Sequence, residues 1–399
     1  MQNKSRTVLT VFSLIFLVVT AFTTGYLVNN VVNRHSSLVA PAEAAENRFP
    51  LLGEAWSWVE RSYLGEVPPL RQISYGAIRG ALAELGDPYT VFIEPPAREE
   101  ERERLSGNFG GIGATLSRNE AREIVLEPIP GNPAEAAGIV SGDVLIAVDD
   151  FPIPDDMAVG DVAGLIRGEK GTEVTLTVLH PGAEEAVDIL IVRDDILLPS
   201  VTYQLAAEDP TIGIIQLSRF SGESGGEIEQ AIQELQVQGA TMFVLDLRHN
   251  PGGLLSAATD VANHFLSDVP VMIQQRRDAE EEIIMADAGA VAGDMPLIVL
   301  VDGGTASSAE ILAGALQDNE RALLVGQPTF GKGSVQLVHD LSDGSSVHVT
   351  SSRWLTPDGH QIDQQGLTPD VLVELTQEAI DAGRDETLLR AIEILLNGI

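Results

Sequence analysis

The chain has 399 residues, enough for several domains, and no cysteine, which excludes disulfides, thiol catalysis and thiolate metal sites. Its 59 acidic and 24 basic residues give a net charge of −35, which argues against nucleic acid as a partner because polyphosphate would be repelled. The seven histidines form no His-x-x-x-His pair, so we expect neither a metal site nor a cofactor.

The N-terminus carries a stretch of 21 uncharged residues, 8–28, preceded by Lys4 and Arg6. This stretch is long enough to span a bilayer as one helix, and the positive charges favour its N-terminal end inside. We therefore expect a single-pass anchor in the cytoplasmic membrane over residues 1–30, a linker over 31–48, and the remaining chain on the extracytoplasmic side. A cleavable signal peptide is the alternative, because small residues flank Glu43, although that site lies well beyond the apolar run.

Residues 49–104 are predicted to form a helical segment, since residues 51–85 contain two helical patterns. Trp56 and Trp58 lie in the first pattern, and aromatic residues at helical spacing usually pack in a core. An interface is the alternative. A turn is predicted at residues 86–90, where glycine, aspartate and proline follow one another.

A separate module is predicted over residues 105–195. It opens with the glycine-rich stretch 107–114 and continues with the motifs at 128–134, 137–149 and 166–172 and the predicted strand 174–179. These motifs resemble a PDZ domain of the circularly permuted bacterial type, which is β-sandwich-like and captures a peptide's terminal carboxylate on backbone N–H groups. Gly111, Ile112 and Gly113 are the expected carboxylate loop. Phosphate binding is the weaker alternative, since no Walker lysine follows.

Residues 196–399 are predicted to form an α/β core. Residues 243–247 are typical of a strand and lead to Pro251, Gly252 and Gly253. Glycine lets the backbone approach a substrate closely, so the N–H of Gly252 or of Gly253 is a candidate donor for an oxyanion hole.

A serine follows the next predicted strand, at residues 298–301. The turn 302–304 leads to Ser307 and Ser308, and a helical pattern covers 309–316. A serine at such a strand-to-helix turn lies where unpaired N–H groups favour developing negative charge, so the N–H of Ser308 is the second candidate oxyanion donor. The simpler interpretation is that these serines only cap the helix.

Lys332 lies between two glycines, with no acidic residue until Asp340. A lysine activates a serine hydroxyl only when it is neutral near pH 7. Moving its pKa from about 10.4 to about 7 or 8 corresponds to roughly 3 to 5 kcal/mol of desolvation. The apolar and glycine neighbours permit such burial, so the serine and lysine together indicate a protease with a lysine base. A triad of serine with His249 and Asp246 is the alternative.

The C-terminal part completes the predicted core. Residues 346–352 alternate as a strand does, residues 357–359 form a turn signal, and residues 386–396 form an amphipathic helix.

Four motifs, at residues 247–255, 305–318, 329–336 and 356–359, are together highly specific. From about Phe49 onward the chain resembles the carboxyl-terminal processing peptidases, the bacterial tail-specific serine proteases with a PDZ domain before the catalytic core. The resemblance implies a mixed α+β and α/β multidomain fold whose protease core has a βαβ-type, crotonase-like sheet. It also implies a serine endopeptidase that acts on protein or peptide substrates with free C-termini.

The family pattern assigns individual roles. It places the nucleophile 25 positions before the lysine, which selects Ser307 over Ser308, although the usual Ser-Ala-Ser is here Ser307-Ser308-Ala309. Gln336 is implied to orient Lys332 by a hydrogen bond. Arg167 is implied to couple the PDZ domain to the active site, with a structural salt bridge as the alternative.

The family's helical segment often makes dimer contacts, so a homodimer is a further expectation. Two other functions remain open from the sequence. One is a catalytically silent PDZ adaptor at the membrane, and the other is a protease that a partner or substrate tail must release.

Overall fold

The computed structural model describes residues 49–374 and 376–398, so the predicted anchor and linker lie outside the described residues. Within those ranges no helix is long and apolar enough to cross a membrane. The chain divides into two compact units, Met1–Ser74 and Tyr75–Ile399.

The two helices predicted near the N-terminus are present as α1 (Pro50–Ser62) and α2 (Leu70–Ala83). Pro50 occupies the first turn of α1, where its missing N–H costs no hydrogen bond. None of the residues of α1 is buried, and Trp58 is 60 % exposed, so the core interpretation of Trp58 is wrong. Helical spacing of apolar residues predicted the helix correctly, but it does not tell which surface covers its apolar side.

A short strand and a charged helix follow the predicted turn. These are β1 (Val91–Ile93) and α3 (Pro95–Ser106). The buried Arg98 of α3 donates to Glu101 on the same helix and to Asp340, each at 2.9 Å. These charge-assisted bonds hold α3 against the segment that contains Asp340.

The predicted PDZ module is a small antiparallel domain with its own core. Its elements are β2 (Asn108–Gly111), β3 (Ala114–Arg118), β4 (Ile124–Pro128), α4 (Pro133–Ala137), β5 (Asp143–Val148), β6 (Phe151–Pro152), α5 (Val159–Ile166), β7 (Glu173–Leu179), β8 (Val187–Val192) and β9 (Asp194–Leu197). One sheet has the order β3-β4-β5-β7-β8 with β6 on β5, and β2 pairs separately with β9. Strand β9 of this pair extends past residue 195, where the module was predicted to end. Leu126, Val162 and Leu176 are buried at the centre of the domain.

The predicted protease core contains a mainly parallel sheet in the order β10-β11-β12-β15-β16-β19, with β10 antiparallel. Its strands are β10 (Val201–Leu205), β11 (Ile212–Leu217), β12 (Met242–Asp246), β15 (Leu297–Val301), β16 (Leu323–Gly326) and β19 (Val371–Leu372). Successive side chains of β15 point to opposite faces. Val299 packs in the cluster shared with the helices on one face, and Ile298 packs with the C-terminal helix on the other. The predicted βαβ-type sheet is therefore present, with helices on both faces.

The helices of the core are α6 (Ser224–Val237), α7 (Leu255–Ala262), α8 (Ser308–Asp318), α9 (Gln377–Asp381) and α10 (Glu386–Asn397). A second, antiparallel sheet consists of β13 (Pro270–Arg276), β14 (Glu282–Met285), β17 (Ser334–Asp340) and β18 (Ser346–Leu355), together with β1. Val91–Ile93 of β1 pairs with residues 346–348 of β18. The N-terminal segment thus supplies one strand to the antiparallel sheet that contains β17 and β18.

Candidate active site

Ser307 occupies the N-cap of α8, where the chain leaves the parallel sheet through a tight turn. Its φ of 56° is unusual for a residue with a side chain. The turn is held in place, because Thr305 Oγ1 donates to Leu247 O at 2.8 Å and Ala306 N–H donates to Asn250 O at 2.9 Å. Backbone strain of this kind costs about 1–3 kcal/mol and persists only where the surroundings enforce it. Ser307 is partly exposed and lines a cavity of about 350 Å³.

Ser308 differs from its neighbour in what its hydroxyl contacts. It is 2 % exposed, and its Oγ donates to the carbonyls of Gly253 at 3.1 Å and Leu254 at 3.2 Å. A hydroxyl already donating to backbone carbonyls in a buried site is poorly placed to attack a substrate. The geometry therefore favours Ser307 as the nucleophile.

Lys332 lines the same cavity and is partly buried. Burial lowers the pKa of its ammonium below the ordinary value, while the negative charges of Glu101 and Glu310 act in the opposite direction. Its Nζ lies 5.1 Å from the centre of the Tyr89 ring and is not hydrogen-bonded to Ser307 Oγ. The lysine thus faces the serine across the cavity without a direct bond.

One buried glutamate connects the two candidate catalytic segments. Glu310 is 0 % exposed, and its Oε2 accepts the backbone N–H groups of Ser307 at 2.8 Å and Lys332 at 2.9 Å. Its Oε1 accepts Gly331 N–H at 2.7 Å and Thr329 Oγ1 at 2.5 Å. Sequence reasoning missed this residue, although a serine followed three positions later by glutamate is the spacing of a capping box.

The glycine loop that follows β12 lies against Ser307 and Ser308. Gly252 N–H donates to Asn250 Oδ1 at 2.9 Å, so it is not free to bind an oxyanion. The N–H groups of Gly253 and Ser308, in contrast, have no partner within residues 49–374 and 376–398. A Cβ at Gly253 would lie 1.9 Å from Phe220 O, so only glycine fits there. Of the two predicted glycine donors, the structure favours Gly253.

Gln336 lines the cavity, but its amide donates to residues other than Lys332. Its Nε2 donates to Ser334 Oγ at 2.9 Å and to Thr350 Oγ1 at 3.3 Å, and it makes no hydrogen bond with Lys332. Its role in orienting the lysine stays a prediction. His348, which sequence analysis did not consider, also lines the cavity, with its Nε2 3.1 Å from Glu101 Oε2.

The alternative histidine triad does not form. The His249 side chain is 86 % exposed, and its Nδ1 lies 2.7 Å from Asp302 Oδ2. Asp246 instead binds Arg248, with Oδ2 and Nη2 2.7 Å apart. Within the described ranges, no group of three or more histidine, aspartate or glutamate side chains is arranged to hold a metal ion.

Comparison with known proteins identifies the relationship. The family model for peptidase family S41 matches residues 211–373, and a PDZ domain model matches residues 124–179. The carboxyl-terminal-processing protease of Synechocystis is 36 % identical over 373 residues, which cover 88 % of this chain and 87 % of that protein. The chain belongs to the carboxyl-terminal processing proteases of family S41. It is a serine-type peptidase.

Two further proteins are similar to this chain. The carboxy-terminal processing protease CtpA of Bacillus subtilis is 35 % identical over 85 % of this protease and 72 % of its own length. A solved structure of a photosystem II D1 C-terminal processing protease is 36 % identical, covers 81 % of this protease and 87 % of that chain, and has a TM-score of 0.46.

The residues predicted to form the carboxylate loop lie at the end of β2 and between β2 and β3 of the PDZ domain, and their binding role stays a prediction. The N–H groups of Ile112 and Gly113 have no hydrogen-bond partner in the described part of the chain, as a carboxylate loop requires. Gly113 has a φ of 73°, and a Cβ there would lie 2.3 Å from Asn132 Cβ, which explains why this position is glycine. Gly111 pairs with Asp194 at the end of β2, so the two-stranded β2–β9 sheet fixes the start of the loop.

Arg167 follows α5 and contacts the helix between the N-terminal segment and the PDZ domain of the protease. Its Nη1 donates to Glu103 Oε2 at 2.7 Å, and its guanidinium carbon lies 4.5 Å from the centre of the Phe109 ring. Arg167 therefore forms the salt bridge that sequence analysis considered as the alternative. Coupling to catalysis is a further step, and it stays a prediction.

Proposed function

We propose that the protein is an endopeptidase in which Lys332 is the general base for Ser307, and that its PDZ domain binds the C-terminus of the protein it cleaves. The observation that carries the proposal is the convergence of both residues on one cavity, with the pKa of Lys332 lowered by burial. A neutral lysine accepts the serine proton at a pH where a surface lysine stays charged.

The proposed reaction has an acylation stage and a deacylation stage. Ser307 Oγ attacks the scissile carbonyl carbon as its proton passes to Lys332 Nζ. The carbonyl oxygen gains the negative charge and lies between the N–H groups of Ser308 and Gly253, at the N-terminus of α8. Lys332 then returns the proton to the leaving amine as the C–N bond breaks. Water, deprotonated by the same lysine, hydrolyses the acyl-enzyme.

Location, membrane attachment and assembly belong to the same proposal. The apolar residues 8–28 and the preceding positive charges support a single membrane anchor with the protease on the extracytoplasmic side. Exported or membrane proteins are then the accessible substrates. The exposed Trp58 on α1 supports a homodimer contact through the N-terminal helices.

Cleavage of an unstructured protein with an apolar C-terminus tests the catalytic assignment. Ser307→Ala and Lys332→Ala are each expected to lower kcat by about 10³-fold or more. Residues of a catalytic unit act together, so removing one of them abolishes most of the activity of the whole unit. Ser308→Ala and His348→Gln should stay within about tenfold of the parent, since neither residue transfers the proton.

Three outcomes would contradict the proposal. Loss of activity in Ser308→Ala alone would show that Ser308, rather than Ser307, is the nucleophile. Loss in His348→Gln with Lys332→Ala active would make the histidine the base. An inert parent, even with PDZ-binding peptide present across a range of pH, would favour the adaptor function.

A further inference from the structure

The cavity at Ser307 has a charge opposite to that of the protein as a whole. Acidic residues outnumber basic ones by 59 to 24 in the chain. The cavity lining, in contrast, contains Arg104, Arg219 and Lys332 against the single carboxylate of Glu101. Only Lys332 is used by the proposed chemistry, so the two arginines need another explanation.

Arg219 is held in a fixed position by its terminal nitrogens, while its buried Nε donor is unused. Its Nη1 donates to Pro199 O at 3.1 Å, and its Nη2 donates to Leu198 O. Its Nε is buried and has no hydrogen-bond partner in the described part of the chain. The next residue, Phe220, donates to Gly252 O at 3.0 Å, which fixes Arg219 relative to the glycine loop. A buried donor without a partner costs free energy unless a ligand satisfies it.

Arg104 brings a second positive charge to the same place. It lies on α3 and is exposed, and its side chain makes no ion pair or hydrogen bond with any described residue. Burial lowers the pKa of Arg219, Glu227 raises it, and the charge of Arg104 lowers it further, as expected for two nearby cations. Of the acids in the adjoining groove, Glu103 is already paired with Arg167. Glu100 also lines this groove, but neither Arg104 nor Arg219 forms an ion pair with a residue in the described part of the chain.

We propose that Arg104 and Arg219 form a subsite for a carboxylate of the substrate while its scissile bond lies at Ser307. A carboxylate between the two guanidinium groups would bind the unused Nε of Arg219 and relieve the repulsion between the arginines. Two groups of a peptide supply this chemistry, the terminal α-carboxylate and the side chain of aspartate or glutamate. The subsite deepens the proposed function and rests on it.

Two matched pairs of peptides distinguish these sources. Each peptide spans a bond that the full-length parent cleaves in an unstructured protein. The first pair differs only in a free or amidated C-terminus. The second pair is amidated and carries glutamate or glutamine at positions that flank the bond. The kcat/KM of each peptide is measured for the parent, Arg104→Gln, Arg219→Gln and Arg102→Gln. Arg102 is the matched control, because it lies on the same helix and pairs with Asp340 on the surface, outside the cavity.

The parent should prefer the carboxylate form by about tenfold in at least one pair, and that pair identifies the source. The preference should fall to about onefold in Arg104→Gln and Arg219→Gln and persist in Arg102→Gln. Arg104→Gln keeps the test decisive even if Arg219→Gln fails to fold, because the Arg104 side chain has no partner to lose.

A parent without preference in either pair overturns the subsite, and so does a preference that survives in Arg104→Gln, since that carboxylate is then bound elsewhere, such as in the PDZ loop. Failure of the proposed function is distinguishable. It would appear as undiminished cleavage of the neutral, amidated peptide by Ser307→Ala.

Discussion

Glu310 Oε2 accepts the backbone N–H of Lys332 at 2.9 Å across 22 residues of sequence. The same oxygen accepts the N–H of Ser307 at 2.8 Å. The segments of the nucleophile and the base are thus positioned by a shared carboxylate, while their reactive side chains remain unbonded to each other. Both side chains line the same cavity of about 350 Å³.

Replacing Glu310 tests this positioning. Glu310→Gln replaces one acceptor oxygen with a donor, so two of the four hydrogen bonds are lost and the segments of Ser307 and Lys332 lose part of their shared anchor. We expect a loss of about 100-fold in kcat. Stability should fall by about 1–3 kcal/mol for each buried N–H left unpaired. Single-turnover kinetics and urea denaturation measure the two effects. The exposed Glu320, just beyond α8, supplies the control Glu320→Gln. An active and equally stable Glu310→Gln would contradict the positioning role.

The pH dependence of kcat/KM should report the lowered pKa of Lys332. Activity should rise as the lysine loses its proton, with a midpoint below 10.5. Because the charge of Glu101 raises this pKa, Glu101→Gln should shift the rising limb to lower pH. Glu99→Gln, an exposed change on the same helix, should leave the limb in place. A shift in the opposite direction would show that another group titrates.

The ring of Tyr89 favours the charged lysine, because a cation is attracted to an aromatic face. Removing the ring by Tyr89→Leu should therefore lower the midpoint further. An interaction of about 0.5–1 kcal/mol corresponds to roughly 0.4–0.7 pH units. Tyr89→Phe keeps the ring and should match the parent. Equal pH profiles for the leucine and phenylalanine variants would argue that the 5.1 Å contact has no energetic effect.

Asn250 holds the glycine loop in the shape that the oxyanion donors need. Its Oδ1 accepts Gly252 N–H at 2.9 Å, and its Nδ2 donates to Leu217 O at 2.7 Å. Asn250→Ala should lower stability by about 1–3 kcal/mol and kcat by about 10²–10³-fold. Asn250→Asp retains the acceptor for Gly252 and should lose less activity. Comparable kcat values for the two variants would show that the loop keeps its shape without this bond.

Arg248 connects the end of β12 to the start of α10. It donates to both oxygens of Asp385, each at 2.8 Å, and to Asp246 Oδ2 at 2.7 Å. Arg248→Met leaves the buried Asp246 unpaired, so the free energy of unfolding at pH 7 should fall by about 3 kcal/mol.

The difference in the free energy of unfolding between the parent and Arg248→Met should be smaller at acidic pH. Burial alone would raise the pKa of Asp385, but the hydrogen bonds from Arg248 hold it below 3.8. The stabilisation is therefore complete above pH 3.8 and is lost as pH falls through the folded-state pKa. Denaturation curves at pH 7 and pH 3 measure this. A gap between parent and variant that is unchanged at pH 3 would contradict the account.

Local patterns predicted the elements that position Ser307, Lys332 and the glycine loop, because strand, turn and helix signals there are contiguous in sequence. The same patterns left Gly252 and Gly253 equivalent. The hydrogen bond from Gly252 N–H to Asn250 Oδ1, which the fold forms, distinguishes them. Tyr89 and Glu101 were missed for a related reason. They lie far from Lys332 in sequence, and their approach depends on the packing of the N-terminal segment.

Pairing of Val91–Ile93 with β18 has a practical consequence for dissecting the protein. A fragment that begins after the PDZ domain would contain the whole parallel sheet and both candidate catalytic residues. It would nevertheless expose the edge of β18 at residues 346–348, beside the cavity residue His348, and an uncovered edge recruits strands from other molecules. Such a fragment should aggregate. A circular permutant in which residues 75–106 follow the C-terminus of the fragment should stay monodisperse.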